Sequence, residues 1–249
     1  MATLSQLVST LANVMGLPEA TVFAYGRFAR EAGYISQAGR GRGGAQMTAV
    51  DAANLIIALS GTSVTREAGK AIETFMALQG WLKFPTERLL EPIERWIDKY
   101  RCVTKQNDEY FMFGPFMDFL IAESASGDLE WMLRSIPVYD VPRRPDPDWG
   151  RTWMHYADGT TPPSYRLPEQ VDIIEDILME IKLTTNSPAA SFVLGVRGVF
   201  DNKILNIYFG DEDEDIFETS KKNGDLCIEY CISQQTILAA GRCIDEREI

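Results

Sequence analysis

The cationic side chains near the front of the chain fall into two clusters. Arg27 and Arg30 stand three residues apart in a stretch with helical spacing. Arg40 and Arg42 stand within Gln37 to Gln46, a run with four glycines, two arginines and no acid. A guanidinium group carries five N–H donors in a planar fork and keeps its charge at working pH. It therefore suits phosphate oxygens and the acceptor edge of guanine. A glycine-rich run packs no core, but it lets its arginines approach a phosphate backbone or a narrow groove.

Other candidate chemistry is thinner. The single histidine, His155, has no Ser or Cys nucleophile and acid arranged around it in a recognisable way. Cys227 and Cys231 are four apart and could contribute to a zinc site, but buried reduced thiols are the expected state of all four cysteines. The acidic run Asp211 to Asp215 lacks the alternate-position ligands, central glycine and distal glutamate of a calcium loop. It reads as a solvated turn or a partner-binding patch. The glycine run lacks the Lys-Ser/Thr of a phosphate-binding loop, and the chain holds neither HExxH nor a CxxC pair. The expectation is a protein that is not an enzyme, with no cofactor and no metal.

The elements that must carry these residues follow from periodicity. Leu4, Leu7, Leu11 and Met15 predict a helix from Leu4 to Met15. Gly16 breaks it, and Pro18 suits the first position of a second helix. Val22, Tyr25, Ala29 and Ala32 form that helix's core face; Arg27 and Glu31 fall opposite, with Arg30 at the border. Gly33 ends the helix, and Tyr34-Ile35 predicts the start of a short strand. Thr48 and Asp51 have the spacing of a capping box. They open a third helix, Ala49 to Leu59, which is apolar nearly all round.

Further helices are predicted over Val64–Gln79, ended by Gly80, and over Thr86–Tyr100, with a kink at Pro92. Two more cover Phe116–Glu123 and Asp128–Ser135. Trp96 and Tyr100 belong to the core or to a partner contact. Six prolines from Pro137 to Pro163 mark an extended connector. Val171, Ile174, Leu178 and Ile181 predict an amphipathic helix over Gln170–Leu183. Ala190–Phe200 and Ile204–Phe209 read as a β-hairpin. Leu226–Ile232 reads as another strand, and Ser233 as the cap of a short helix through Ala240.

The pattern from Leu4 to Ile35 resembles the helix-turn-helix of bacterial and phage regulators. In those, a short turn leads to a recognition helix ending in a phrase like the REAGYI at Arg30 to Ile35. The GRGRGG run stands where a winged helix carries its wing. About the first eighty residues also resemble N-terminal segments of phage and prophage proteins. The resemblance implies double-stranded DNA as partner, with the Pro18–Ala32 helix docked in a major groove. Arg27 and Arg30 would meet phosphates or base edges, with Ala20, Thr21 and Ala24 in close approach. Arg40 and Arg42 would add loop contacts.

Charge agrees with such a head. Of the 249 residues, 1–83 carry seven Lys/Arg against five Asp/Glu, and 84–137 carry six against ten. Residues 138–167 balance at four each, and 168–249 carry seven against seventeen, for a net −12. A slightly basic head on an acidic body would turn its head toward DNA. The predicted architecture is a mainly α N-terminal part with a helix-turn-helix and basic glycine loop, then helical segments, then a small α+β C-terminal domain. Its expected divisions are 1–83 for DNA binding, 84–136 for a helical core or oligomerisation, 137–168 for the connector and 169–249 for the acidic domain.

No apolar run approaches ~20 residues and the first residues lack a basic leader, so a cytoplasmic protein without a membrane span is expected. Three functions fit. One is a phage-type DNA-binding transcriptional regulator whose acidic part senses a signal or dimerises. Another is a DNA-packaging component like a small terminase subunit. The third is an acidic inhibitor that binds a host protein. A homo-oligomer is expected, with a protein partner for the acidic part as a further option.

Overall fold

The computed structural model describes residues 2–37, 45–82, 91–105, 110–136, 177–185, 188–196, 203–210 and 229–245. The connector at 137–168, His155, Cys227, the acidic run at 211–215 and both loop arginines, Arg40 and Arg42, lie outside these residues.

The described chain is a mixed α+β fold, with helices first and most of the sheet toward the end. In order it forms α1 (Leu4–Met15), α2 (Glu19–Glu31), α3 (Ala49–Gly61), a 3-10 turn (Thr65–Glu67), α4 (Ala68–Met76), β1 (Gln79–Leu82) and α5 (Glu91–Thr104). Then come β2 (Phe111–Met112), α6 (Phe113–Ser126), α7 (Asp128–Ser135), β3 (Ile177–Thr184), β4 (Ala189–Val196), β5 (Lys203–Phe209), β6 (Glu229–Ser233) and α8 (Gln234–Asp245).

Six strands make one antiparallel sheet in the order β2-β1-β5-β4-β3-β6. Strands from before residue 84, from 84–136 and from after 169 share that sheet. β4 and β5 pair antiparallel, as expected from their β-branched and aromatic residues; the end of the first strand as expected, 197–200, lies outside the described residues.

α6 is the hub of the core. Phe113, Phe116, Met117, Leu120 and Ile121 are fully buried, and α6 packs on both α3 and α8. Toward the sheet, the Phe116 ring lies 5.0 Å from Phe192 and the Phe113 ring 5.1 Å from Phe209. Trp96 and Tyr100 of α5 close the same aromatic cluster, with Trp96 6.1 Å from Phe192. Both are buried, which places that stripe in the core. On α8, a Cβ at Gly241 would overlap Ser124 of α6, so the two helices cross at van der Waals contact only because 241 is glycine.

Several expectations are corrected. Ile177–Thr184 is a strand and not the end of a helix. Its buried residues are Ile177, Met179, Ile181 and Leu183, a period of two, while Leu178 faces solvent. Four aliphatics spaced at three and four residues hid that alternation. The helix drawn through to Gln79 ends at Met76, and Gly80 sits in β1, where a Cβ would collide with the Phe209 ring. Tyr34-Ile35 does not start a strand; the nearby bridge joins Thr3 to Gln46 instead. α5 is described from Glu91 onward, so the start expected at Thr86 lies outside the described residues, and Pro92 stands at their edge. Ala32 is exposed, and Gly26 takes its place on the core face of α2.

Candidate nucleic-acid interface

α1 and α2 are joined by a turn that glycine makes possible. Gly16 adopts the left-handed conformation, with φ of 67°, and the Leu17 N–H returns to the Ala12 carbonyl at 2.9 Å. Pro18 then precedes α2 with extended backbone. Ser9 on α1 donates to the Glu19 carboxylate at 2.5 Å across the turn. Gly33 ends α2 in the same way as Gly16 ends α1, with φ of 87° and the Tyr34 N–H on the Ala29 carbonyl at 2.9 Å.

Val22, Tyr25, Gly26 and Ala29 turn one face of α2 into the core. At 100° per residue, Ala20, Phe23, Arg27 and Arg30 make a stripe on the far side. Ala20, Phe23 and Arg27 are exposed and Arg30 is half-buried. Arg27 lies 4.7 Å over the Phe28 ring, and its Nε is 3.4 Å from Glu31. An exposed pair of this kind contributes a few tenths of a kcal/mol, about the amount a phosphate contact would have to replace. Thr21 is half-buried and lies half a turn of helix away from Arg30, on the other flank. The stripe therefore brings together Arg27 and Arg30 but not Thr21. Phe23, 48% exposed at the middle of the stripe, was not among the expected site residues. The signal was there: it stands four residues before Arg27 and off the core face.

Arg30 also faces the base of the arginine loop. It lines a cleft of about 230 Å³ with Thr3, Ser5, Ser36, Ala45 and Met47, and its carbonyl accepts from Gln37 Nε2 at 3.1 Å. The two flanks of the loop are held by a single side chain. The capping box at Thr48 and Asp51 forms as predicted. Asp51, 2% exposed, accepts from the Thr48 N–H at 2.8 Å and the Thr48 hydroxyl at 2.9 Å. Its other oxygen accepts the Ser36 N–H at 2.7 Å, from the opposite flank. One turn on, Asn54 donates to the Tyr34 carbonyl at 2.7 Å. On the exit side, the Met47 N–H reaches the Ala2 carbonyl at 2.7 Å.

A second, half-buried acid lies near Asp51. Asp118 of α6 has its carboxyl pushed up to about 6, first by burial and then by the Asp51 charge. Its Oδ1 is buried and has no hydrogen-bond partner among the described residues.

Cys102 and Cys231 are exposed free thiols and Cys243 is a half-buried one, so none of the three is the buried thiol expected. Among the described residues no group of three or more His, Cys, Asp or Glu side chains is placed to hold a metal. No helix among them is long and apolar enough to cross a membrane. Comparison with protein-family models, curated proteins and solved structures finds no match for this chain.

Proposed function

We propose that this chain binds double-stranded DNA through α2 and the arginine loop, as a transcriptional regulator of phage type. The outward stripe of α2 enters the major groove. Arg27 and Arg30 contact phosphates or base edges, and Arg40 and Arg42 add contacts from the loop. Thr21 approaches the backbone on the flank of the helix. The acidic C-terminal part, held off the DNA by its charge, senses or dimerises. No catalytic step belongs to this reading.

The observation that supports it best is the convergence of Arg30 with both flanks of the loop in one cleft, beside an α2 stripe on which Ala20, Phe23 and Arg27 are exposed. The residues on either side of the arginine run thus lie beside Arg30.

The test is Arg27→Ala in binding to a pool of short duplexes. Base reading predicts a changed sequence preference together with a loss of about 1–3 kcal/mol for preferred sites. A uniform loss across sequences assigns Arg27 to phosphate. Unchanged binding removes α2 from the interface. Unselective binding by a many-membered ring would favour the packaging function instead.

A further inference from the structure

The outer strand of the sheet offers a surface that DNA binding leaves unused. β6 pairs with β3 along its whole length, from Glu229 opposite Thr184 to Ser233 opposite Glu180. No strand among the described residues pairs with its other side. An open edge presents a row of backbone donors and acceptors, and monomeric proteins block it with proline, lysine or a bulge. The segment Glu229-Tyr230-Cys231-Ile232-Ser233 has no proline and no lysine, and its register with β3 runs without a shift. Its one charge, Glu229, is engaged by Lys182 of β3 at 2.9 Å. The other edge of the sheet, β2, is only two residues long.

These five residues are also complementary to themselves. In antiparallel pairing of two copies about a twofold axis, Cys231 meets its own counterpart. Tyr230 meets Ile232 of the second copy, and Glu229 meets Ser233 of the second copy. The two Glu229 carboxylates sit at opposite ends of the joint, so no like charges are opposed. The residues on the solvent face, Glu229, Cys231 and Ser233, are exposed. Burial and the nearby Glu180 hold the Cys231 thiol above its ordinary range, which keeps the axis position uncharged at neutral pH.

We propose that a second copy of this chain adds to β6, making one continuous antiparallel sheet about a twofold axis at Cys231. Such an isologous joint closes on itself and gives a dimer. It stands whether or not the chain binds DNA.

Light scattering of the full chain tests it, with an expected mass of twice 28.0 kDa. Cys231→Arg opposes two cations at the axis and should weaken the dimer about tenfold or more, with the circular dichroism spectrum unchanged. Cys231→Ser should leave the dimer intact. A variant keeping Cys231 as its only cysteine should cross-link into a dimer with a short bis-maleimide, which decides the matter even if Cys231→Arg folds poorly. A monomeric wild type, a dimer that survives Cys231→Arg, or failure of Cys231 to cross-link would each overturn the proposal.

Discussion

The base of the arginine loop and the middle of α6 each hold a carboxylate oxygen away from water, and they treat it in opposite ways. Asp51 receives three hydrogen bonds, two of them from backbone N–H groups on opposite flanks of the loop. Asp118 has a buried oxygen without a hydrogen-bond partner among the described residues, and it lies within reach of the Asp51 charge. A buried charge is tolerated when donors surround it and costs stability when they do not. The first acid thus organises the candidate interface, and the second is a liability in the core.

The largest effect should come from breaking the favourable case. Asp51→Ala removes the acceptor for three donors and the acid from the first turn of α3. Charge-assisted hydrogen bonds of this kind imply a loss of roughly 3 kcal/mol, read by urea unfolding. Amide exchange at Ser36 and Thr48 should accelerate with it. A loss below ~0.5 kcal/mol would mean that Asp51 does not hold the loop.

A smaller effect of opposite sign is expected at Asp118. Its folded carboxyl takes up a proton near pH 6, against 3.8 ordinarily. The folded state therefore binds more protons between those values. Stability is fully retained below about pH 4 and falls as the pH rises through 6. Asp118→Asn should remove that slope and stabilise the protein by on the order of 1–2 kcal/mol at pH 7, with little change at pH 4. Asp51→Asn should shift the Asp118 midpoint downward while leaving most of the upward shift, since burial is the larger cause. A wild-type stability that rises from pH 5 to pH 7 through this residue would contradict the assignment.

The same contrast explains what could be read from sequence. Helices α1, α2 and α3 were legible because their signals are local. Gly16 and Gly33 stop helices, and Thr48 with Asp51 starts one. The Ser36–Asp51 bond was not legible, because it joins residues fifteen apart that come together only when the loop closes. β3 was misread because its aliphatics fit both a period of two and the wider helical spacing. β1 was missed because Gly80 looks like a helix stop, and its real role, contact with Phe209, depends on a strand more than a hundred residues later. In the candidate interface, Arg27 and Arg30 share a face as spacing predicts. The expected set lacked Phe23 and included Thr21, although Thr21 lies on the opposite flank from Arg30.

The most direct test of the account titrates labelled short duplexes with the wild type and with Arg40→Ala/Arg42→Ala across a range of salt. The account predicts binding at low salt that weakens as salt rises. In the double variant, the slope of log affinity against log salt should fall by up to about two, one for each lost phosphate contact. No binding to any duplex at low salt would contradict it, and an unchanged slope would exclude the loop from the interface.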